Sequence, residues 1–261
     1  MYKLITINIE GDRHLEKVKA FLTSESADIV CVQEIFDDRV SELSQTTYHA
    51  TFVPSCLHNY YVEGDPARPS GTAILSKVPF YSVQNETLYA PTDALVQQRH
   101  DTHEDIRMTT RTMLQLATLD DEARTTIGNI HFTWSPHGTA TETQRVDVET
   151  LIEVTRALPH FVLCGDFNIP RGNVRYDELT AHLTDHVPSQ YAGSLDMSVH
   201  KSRHDPVEFK KVSGYMVDYI FSKPNTYTIS EVTRHCGVSD HCAFSAYVEN
   251  NELSTLRRAR A

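Results

Sequence analysis

The chain has 261 residues, of which 40% are hydrophobic, and a formal net charge of −11 at pH 7. This length and composition fit one substantial core, so we expect a single domain over residues 1–250 and a frayed tail over residues 251–261. The negative net charge argues against strong electrostatic binding of nucleic acid over a large surface. It does not exclude a nuclease, because a bound cation would offset the charge of metal-binding carboxylates.

The chain shows no membrane-spanning or secretory pattern. No apolar run approaches the roughly 20 residues of a transmembrane helix, and the N-terminal segment lacks the layout of a signal peptide. The five cysteines form no Cys-x-x-Cys pair and leave one over, and Cys31 and Cys164 lie in predicted buried strands. These patterns favour reduced thiols, a cytoplasmic location and a monomer without a protein partner.

Extended and helical patterns alternate through the first half of the chain. Short apolar runs predict strands at residues 3–8, 28–34, 48–54, 71–76, 79–88, 111–119 and 124–133. Helical patterns cover residues 14–24 and 37–46. Residues 89–110 are polar, and we interpret them as a surface excursion.

The clearest helix follows Thr141. Thr141-x-x-Gln144 resembles a capping box, and Pro159 ends the pattern. The apolar stripe of this helix contains Val148, Leu151, Ile152, Thr155 and Leu158. Beyond it, strands are predicted at residues 160–164, 216–221 and 242–248, with a loop-rich segment between the first two.

The segment that ends the strand at residues 160–164 carries the most chemistry. Gly165 stops the apolar run, and Asp166 and Asn168 follow two positions apart, so that in an extended chain both point to the same side. Asp supplies charge and Asn can donate, which suits a hard cation or a phosphate. An ordinary Asx-type turn explains the pair equally simply, unless the pattern recurs.

The pattern does recur at the ends or starts of other predicted strands. These residues are Asn8, Glu34, His131, Asp240 and His241. Asp218 lies inside an apolar strand, where an unpaired carboxylate would be costly. Because polar groups at strand tips can converge on one rim of a layered sheet structure, we expect a site there.

In these segments the chain resembles the endonuclease/exonuclease/phosphatase family, the deoxyribonuclease I-like fold, from about Tyr2 to Val248. The motifs that carry the resemblance are Thr6-Ile7-Asn8, Val32-Gln33-Glu34, Gly71-Thr72-Ala73-Ile74-Leu75-Ser76, Ile130-His131-Phe132, Gly165-Asp166-Phe167-Asn168, Val217-Asp218-Tyr219-Ile220-Phe221 and Ser239-Asp240-His241. Each motif alone is weak, but their order is specific. The resemblance implies an α/β fold, a four-layered α/β sandwich of two packed mixed β-sheets flanked by helices, and Mg²⁺- or Mn²⁺-dependent cleavage of phosphoesters.

The residue types allow roles to be assigned within such a reaction. Glu34, with Asn8 and Asp240, offers the oxygen ligands that an octahedral cation prefers. His241 is the natural partner for water or phosphate, and Asp218 would accept from its other ring nitrogen.

The remaining roles follow from the resemblance. We assign His131 to a phosphate oxygen or the leaving oxygen. The resemblance implies that Asn168 contacts the phosphate and that Asp166 orients or deprotonates the attacking water. Whether Asp166 or His241 is the base stays open.

Several other residues have two interpretations. Arg111 is a phosphate ligand or a surface salt-bridge partner. His100 and His103 are expected in a solvated loop, and His200 and His204 in a mobile loop or against a polyanion. Trp134 is expected to pack under its loop, with lining of the substrate cleft as the alternative. Tyr219 and Phe221 are expected in the core.

Three functions remain open at this point. The first is a phosphodiesterase or endonuclease acting on nucleic acid or a nucleotide-like ester. The second is a phosphomonoesterase for a small polyphosphate such as an inositol phosphate, which a compact basic pocket would favour. The residues of such a pocket would be Arg171, Arg175, Lys201, Arg203, Lys210 and Lys211. The third is a catalytically silent binding scaffold, which predicts that metal-binding or histidine positions are lost.

Overall fold

Two six-stranded sheets form the centre of the computed structural model, which describes residues 1–59 and 66–251. The first sheet contains β1 (Tyr2–Asn8), β2 (Ile29–Phe36), β3 (His49–His58), β4 (Arg68–Ser76), β11 (Tyr227–His235) and β12 (Ala243–Asn250). The second contains β5 (Phe80–Tyr89), β6 (Thr112–Leu119), β7 (Thr126–His131), β8 (Val162–Asp166), β9 (Thr184–Asp185) and β10 (Asp218–Ser222). The helices are α1 (Leu15–Glu25), α2 (Asp37–Ser44), α3 (His103–Thr109), α4 (Glu142–Ala157), α5 (Val174–Thr180) and α6 (Pro206–Val212).

Both sheets are mixed. The strand order is β11-β12-β1-β2-β4-β3 in the first sheet and β5-β6-β7-β8-β10-β9 in the second. The central pairs β1–β2 and β7–β8 are parallel, whereas β12 and β10 run antiparallel to β1 and β8. The parallel strands therefore end at an edge where their antiparallel neighbours begin.

The core explains why the central strands are continuously apolar. Leu4 and Ile29 pack between the two sheets, in one cluster with residues of β6, β7, β8 and α4. Their neighbours Ile5 and Val30 point the other way and pack under α1 with Val18. A strand buried on both faces has no polar alternation. This layering of helix, sheet, sheet and helix confirms the predicted α/β sandwich.

The start of α4 confirms half of the predicted capping box. The Thr141 hydroxyl accepts from the backbone N–H of Gln144 at 3.2 Å. The Gln144 side chain does not return to Thr141 and donates instead to the carbonyl oxygen of Thr133 at 2.8 Å. Gln144 therefore ties the helix to the segment that follows β7, which borders the predicted site.

The interpretation of residues 89–110 as a polar excursion is wrong for the part that forms α3. Arg107 makes a buried salt bridge with Asp147 of α4, the two side chains being 8% and 1% exposed. Its guanidinium also stacks on the Tyr89 ring, 3.1 Å from the ring centroid. No residue of α3 is buried, so hydrophobic periodicity could not reveal this helix, whose contacts are ion pairs, hydrogen bonds and a cation–π contact.

The expectation that all cysteines are reduced is wrong for one pair. Cys236 and Cys242 form a disulfide bond, whereas Cys31, Cys56 and Cys164 are free and buried. The antiparallel register pairs His235 with Ala243, the residues that end β11 and begin β12. Cys236 and Cys242 are the next residues towards the connecting loop, and their Cα atoms lie 4.4 Å apart. Spacing along the sequence did not indicate this hairpin.

Among the described residues, no helix is long and apolar enough to cross a membrane. All but the first residue of the predicted tail at 251–261 lies outside the described residues.

Candidate active site

The predicted site residues meet at one edge of the two sheets. Asn8 and Glu34 lie at the ends of the parallel strands β1 and β2, where Asn8 pairs with Gln33. His131 and Asp166 pair with each other at the ends of the parallel strands β7 and β8. The other predicted residues come from strand starts: Asp218 opens β10 opposite Asp166, and Asp240 and His241 directly precede β12.

A bulge presents Glu34 to this edge. The register between β2 and β4 shifts between Val32 and Ile35, which leaves one residue of β2 without a partner. Glu34 adopts a left-handed backbone conformation with φ of 55°. Asn168 has the same conformation with φ of 53°. Backbone of this kind in residues other than glycine costs free energy and concentrates at functional sites.

Gly165 has to be glycine because of its backbone. Its φ of +141° is one that side chains rarely allow, and a Cβ atom there would lie 1.9 Å from the carbonyl oxygen of Ile130. The missing side chain lets β8 approach β7 closely at the level of the site. Asp166 therefore emerges beside His131 and is itself only 1% exposed.

One carboxylate oxygen of Asp166 faces several polar groups. Its Oδ2 accepts a hydrogen bond from Nδ2 of Asn8 at 3.2 Å, and it lies 3.7 Å from Nε2 of His131 and 3.8 Å from Nε2 of His241. Its Oδ1 accepts from the backbone N–H of Asn168 at 2.8 Å. Burial raises the pKa of Asp166, and the nearby charge of Asp218 raises it further, so that the net shift is upward.

Asp218 and His241 form a buried ion pair. Nδ1 of His241 donates to Oδ2 of Asp218 at 2.8 Å. Burial by itself lowers the pKa of His241, but the charges of Asp218 and Asp166 outweigh it and hold that pKa well above its ordinary value. The imidazole is therefore protonated at neutral pH, with Nδ1 held by Asp218 and Nε2 directed towards Asp166.

Glu34 is held between an amide and an imidazole. Its Oε1 accepts from Nδ2 of Asn8 at 3.0 Å and lies 3.6 Å from Nε2 of His131. Burial raises the pKa of Glu34, but the His131 charge and the Asn8 hydrogen bond oppose it, and the net shift is downward. Glu34 is therefore ionised, as a metal ligand must be.

The orientation of Asn8 is fixed by the backbone. Its Oδ1 accepts from the N–H of Glu10 at 3.2 Å, so that Nδ2 faces the carboxylates of Glu34 and Asp166. Because the backbone N–H of Glu10 can only donate, the amide atom of Asn8 that faces it must be the oxygen. Ligation of a metal by Asn8 beside these carboxylates would require its amide group to flip, so that Oδ1 takes the place of Nδ2.

A second acidic group lies beside Asp240. Glu10, His14 and Asp240 bring their ligand atoms within 4.8 Å of one another. Burial raises the pKa of Asp240 to about 6, and the charges of Glu10 and Glu34 contribute to the increase. Sequence reasoning missed Glu10, although Asn8-x-Glu10 has the same spacing as Asp166-x-Asn168.

The chemistry of this donor set fits a hard divalent cation. Glu10, Glu34 and Asp240 place carboxylates along one side of the cleft, and Asp166 adds a buried one. The charges of Glu10 and Glu34 raise the pKa of Asp240, and a cation with oxygen ligands would offset this repulsion between carboxylates. Glu34 and Asp240, with Glu10 beside them, are the residues that would hold it.

The site lies in a cleft of 420 Å³. Besides the residues above, four further histidines line the cleft, and the sequence did not indicate two of them, His58 and His137. The four are His58, His100, His137 and His200. Burial lowers the pKa of His58 and of His200 to about 4, so both are neutral at pH 7.

The expected loop position is wrong only for His103, whereas His100 and His200 lie in loops but are partly or largely buried. His100 packs edge-on against the ring of His58 at 4.9 Å, and His103 begins α3. His200 is 9% exposed, and its Nδ1 accepts from the backbone N–H of Ser202 at 3.1 Å. The ion pair under α3 and the turn at residues 200–204 bring these segments over the cleft, which sequence spacing does not show.

Trp134 lines the cleft, and the alternative role considered for it is the one observed. Its side chain is 41% exposed, so it does not pack under its loop. Nε2 of His103 lies 3.1 Å from the Trp134 carbonyl oxygen, and the two rings are 5.9 Å apart. In contrast, Tyr219 and Phe221 are fully buried, as predicted.

The basic residues do not form the compact pocket that the second hypothesis requires. Arg171 pairs with Asp185, and Arg175 pairs with Glu178. Lys211 pairs with Glu208 at 2.7 Å. Among the described residues that line the cleft, Lys201 is the one lysine, and no arginine contributes.

Arg111 neither lines the cleft nor makes a surface salt bridge in the part of the chain that the structure describes. Its guanidinium donates to the backbone carbonyl oxygens of Thr92 and Asp93, at the polar segment after β5. Arg111 therefore holds that loop against β6, at whose start it lies.

Solved structures share this architecture. An endonuclease/exonuclease/phosphatase from Beutenbergia cavernae superposes with a TM-score of 0.70 and 17% identity, covering 95% of this chain and 71% of that one. A 3′ phosphatase from Neisseria bound to product DNA hairpin gives 0.63 and 17%, with coverage of 95% and 100%. The mannosyl-6-phosphatase of Bacteroides thetaiotaomicron gives 0.63 and 12%, also with 95% and 100%.

The sequence itself settles the family. Among proteins of curated function, none matches this chain. The sequence profile described as Endonuclease/Exonuclease/phosphatase family matches residues 5–241 and so spans every site residue named above. The chain therefore belongs to the endonuclease/exonuclease/phosphatase family of hydrolytic phosphoesterases.

Proposed function

We propose that the protein is a divalent-metal-dependent phosphodiesterase that hydrolyses nucleic-acid or nucleotide-like esters by in-line attack of water. The observation that carries this proposal is the single oxygen of Asp166 that faces His131, His241 and Asn8. Such an arrangement combines a proton acceptor with cationic and hydrogen-bonding groups around one small volume. Phosphoester hydrolysis needs these elements, a positioned water and neutralised phosphoryl oxygens.

Asp166 and His241 take different parts in this reaction. His241 carries its proton at neutral pH because Asp218 holds it, so it binds a phosphoryl oxygen and stabilises developing charge. Asp166, whose pKa is raised, is the group left to accept a proton from water. This assignment favours Asp166 as the base, a choice that the sequence left open. His131 faces the phosphate or the leaving oxygen, and Asn168 contacts the phosphate.

The proposed cation is Mg²⁺ or Mn²⁺. Glu34 and Asp240 would hold it, Glu10 adds a carboxylate, and Asn8 would join only through its oxygen. When bound, such a cation supplies Lewis-acid stabilisation of the phosphoryl group. Its excess positive charge would also offset the buried carboxylates of the cleft.

The residues that line the cleft favour a substrate that presents a single phosphate group to the site. Lys201 is the one lysine that lines the cleft among the described residues, no arginine lines it, and His58 and His200 are neutral at pH 7. An inositol polyphosphate would need more positive charge than this. Trp134 offers an exposed indole face at the rim, on which a nucleobase can stack. These features support a nucleotide-like phosphodiester over a small polyphosphate.

The third hypothesis, a silent scaffold, has no support in the described residues. It predicts lost metal-binding or histidine positions, whereas the structure assembles all of those named above at one edge. A cytoplasmic location and a monomeric state stay predictions, and the disulfide bond is a reason to test the location.

A substrate panel tests the proposal. Purified protein is assayed with Mg²⁺, Mn²⁺ or EDTA against plasmid DNA, single strands, abasic duplex, bis-p-nitrophenyl phosphate and inositol phosphates. We expect hydrolysis of diesters that EDTA abolishes, and loss of activity in Glu34→Gln but not in Glu86→Gln, an exposed control on β5. Activity that survives EDTA or Glu34→Gln would contradict metal dependence, and turnover of inositol phosphates alone would contradict the substrate class.

Trp134 allows a separate test of the substrate. Because base–aromatic stacking contributes about 1–3 kcal/mol per base, we expect Trp134→Ala to raise KM for a trinucleotide about tenfold or more. Trp134→Phe retains an aromatic face and serves as the matched control, with KM close to that of the wild type. A trinucleotide KM for Trp134→Ala that stays within about twofold would argue against base stacking at this position.

A further inference from the structure

The disulfide bond closes the loop that carries two residues of the proposed active site. Cys236 follows β11 and Cys242 precedes β12, and the residues between them include Asp240 and His241. The Cα atoms of the two cysteines lie 4.4 Å apart. The position of His241 therefore depends on a short segment whose two ends are joined covalently.

A neighbouring segment connects this loop to the other half of the ion pair. The backbone N–H of Cys242 donates to the carbonyl oxygen of Ser194 at 2.7 Å. The Ser194 hydroxyl accepts in turn from the backbone N–H groups of Val217 at 3.0 Å and Asp218 at 3.2 Å. Ser194 thus spans the start of β12 and the start of β10, the strands that present His241 and Asp218.

Asp196 ties down the other end of the loop. Its carboxylate accepts from the backbone N–H of Gly237, and its own N–H donates to the carbonyl oxygen of Asp240 at 2.7 Å. Asp196 is 7% exposed, and an isolated bridge pairs Leu195 with His241. The loop is therefore held on one side by hydrogen bonds to residues 194–196 and on the other by the disulfide bond.

The two sulfur-bearing residues differ in accessibility. Cys242 is 1% exposed, whereas Cys236 and Gly237 lie at the surface. A dithiol in solution can therefore reach the Cys236 side of the bond while the other side stays covered. Attack on one sulfur and departure of the other is the ordinary course of thiol–disulfide exchange.

We propose that the Cys236–Cys242 disulfide is a positioning element that holds His241 against Asp218, and that its reduction by a dithiol slows phosphoester hydrolysis. A thiolate of the reductant attacks Sγ of Cys236, the S–S bond breaks, and Cys242 leaves as a thiolate that takes up a proton. The second thiolate of the reductant then displaces Cys236, which is also protonated. Two electrons and two protons thus pass to the protein, and the reductant ends as a disulfide.

The effect on activity rests on the proposed function, and the kinetic experiment compares three samples. They are oxidised wild type, wild type reduced with dithiothreitol, and Cys236→Ser. Because a misplacement of about 1 Å can cost about a hundredfold in rate, we expect kcat to fall about ten- to a hundredfold in the last two, with KM within about twofold. Cys236→Ser should not respond further to dithiothreitol, and reoxidation of the reduced wild type should restore kcat. A purely structural role would instead lower the fraction of folded, active protein and leave the kcat of that fraction unchanged.

Two further measurements keep the inference testable without activity. Thiol titration in denaturant should count three thiols in the oxidised protein, those of Cys31, Cys56 and Cys164, and five thiols after an oxidant treatment would overturn the inference. Amide hydrogen exchange should quicken on reduction at Asp196 and Cys242, whose N–H groups pin the loop, but not in β8. Unchanged exchange and unchanged kcat would also overturn it. Quickened exchange in a protein inactive in both states would support the positioning role while contradicting the proposed function.

Discussion

At the scale of single residues, the site divides its charges between two histidines and several carboxylates. Asp166 has one oxygen bound by the Asn168 backbone and another that faces His131 and His241 without a close ion pair. His241, in contrast, is paired directly with Asp218 at 2.8 Å. A buried acid of raised pKa beside an imidazole that keeps its proton gives one acceptor and one donor in the same site.

The Asp218–His241 ion pair predicts a pH dependence of kcat that substitution of Asp218 should change. In Asp218→Asn the charge and the hydrogen-bond acceptor that raise the pKa of His241 are lost, whereas its burial stays, so the pKa falls. As pH rises, kcat of the variant should therefore decline at a lower pH than kcat of the wild type. We expect kcat of the variant to be about tenfold or more below that of the wild type at about pH 8, and closer to it at about pH 6. The measurement is kcat across pH for Asp218→Asn beside Asp177→Asn, an exposed control on α5. An alkaline limb that stays in place would contradict the assignment of a protonated His241.

The same pair affects stability with a definite sign. A histidine whose folded pKa exceeds its unfolded value of about 6.5 contributes stability that is complete below that value and is lost as pH rises through the folded pKa. We therefore expect the free energy of unfolding of the wild type, relative to Asp218→Asn, to shrink as pH increases above neutrality. Denaturant unfolding at several pH values measures this difference, and a difference that grows with pH would be inconsistent with the raised pKa.

At the scale of elements, the position of the site follows from the direction of the strands. Parallel β1, β2, β7 and β8 end where antiparallel β10 and β12 begin, which gathers side chains from distant parts of the sequence. The approach of β8 to β7 depends on Gly165. The site is therefore sensitive to changes in strand packing as well as to changes in its own side chains.

Gly165→Ala tests that dependence. A methyl group would lie 1.9 Å from the Ile130 carbonyl oxygen, at a φ of +141° that alanine rarely adopts. We expect the free energy of unfolding to fall by about 2–5 kcal/mol, because strain and overpacking add. Gly214→Ala is the matched control, since a Cβ atom there meets nothing within 4 Å. Equal unfolding free energies for the two variants would show that the close approach of β7 and β8 is not needed.

The elements also show what the sequence can and cannot predict. Central strands such as β1 and β8 are recognisable because burial on both faces makes them continuously apolar. The helix α3 is not recognisable, because polar contacts such as the ion pair between Arg107 and Asp147 replace an apolar stripe. The disulfide bond escapes prediction for a related reason, since it depends on the register of β11 and β12 rather than on cysteine spacing.

The same limit applies to the site. Asp218 could be predicted because a carboxylate inside an apolar strand needs a partner. Glu10 carried a readable signal, its spacing from Asn8, and His200 carried a weaker one in its neighbours Lys201 and Arg203, whereas His58 carried none. Those two histidines reach the cleft only through the packing of β3 and of the turn after Val199, which no local pattern encodes.

At the scale of the whole molecule, charge limits the kind of substrate. The chain carries a net charge of −11, and Lys201 is the one lysine or arginine among the described residues of the cleft. Few phosphate contacts release few counterions, so we expect log KM for an oligonucleotide to depend on log salt concentration with a slope of about one or less. Steady-state kinetics at several salt concentrations measures the slope, with bis-p-nitrophenyl phosphate as the short control substrate. A slope of about five or more would indicate an extended polyanion-binding surface and contradict a single-phosphate cleft.

The central claim is that Asp166 faces the attacking water at a metal-dependent phosphoesterase site. Its most direct test is kcat of Asp166→Asn for bis-p-nitrophenyl phosphate with Mg²⁺ or Mn²⁺, with circular dichroism showing that the fold is kept. Because general acid–base catalysis contributes about 10²–10⁴-fold, we expect kcat to fall about a hundredfold or more while KM changes little. A kcat within about threefold of the wild type would contradict the claim.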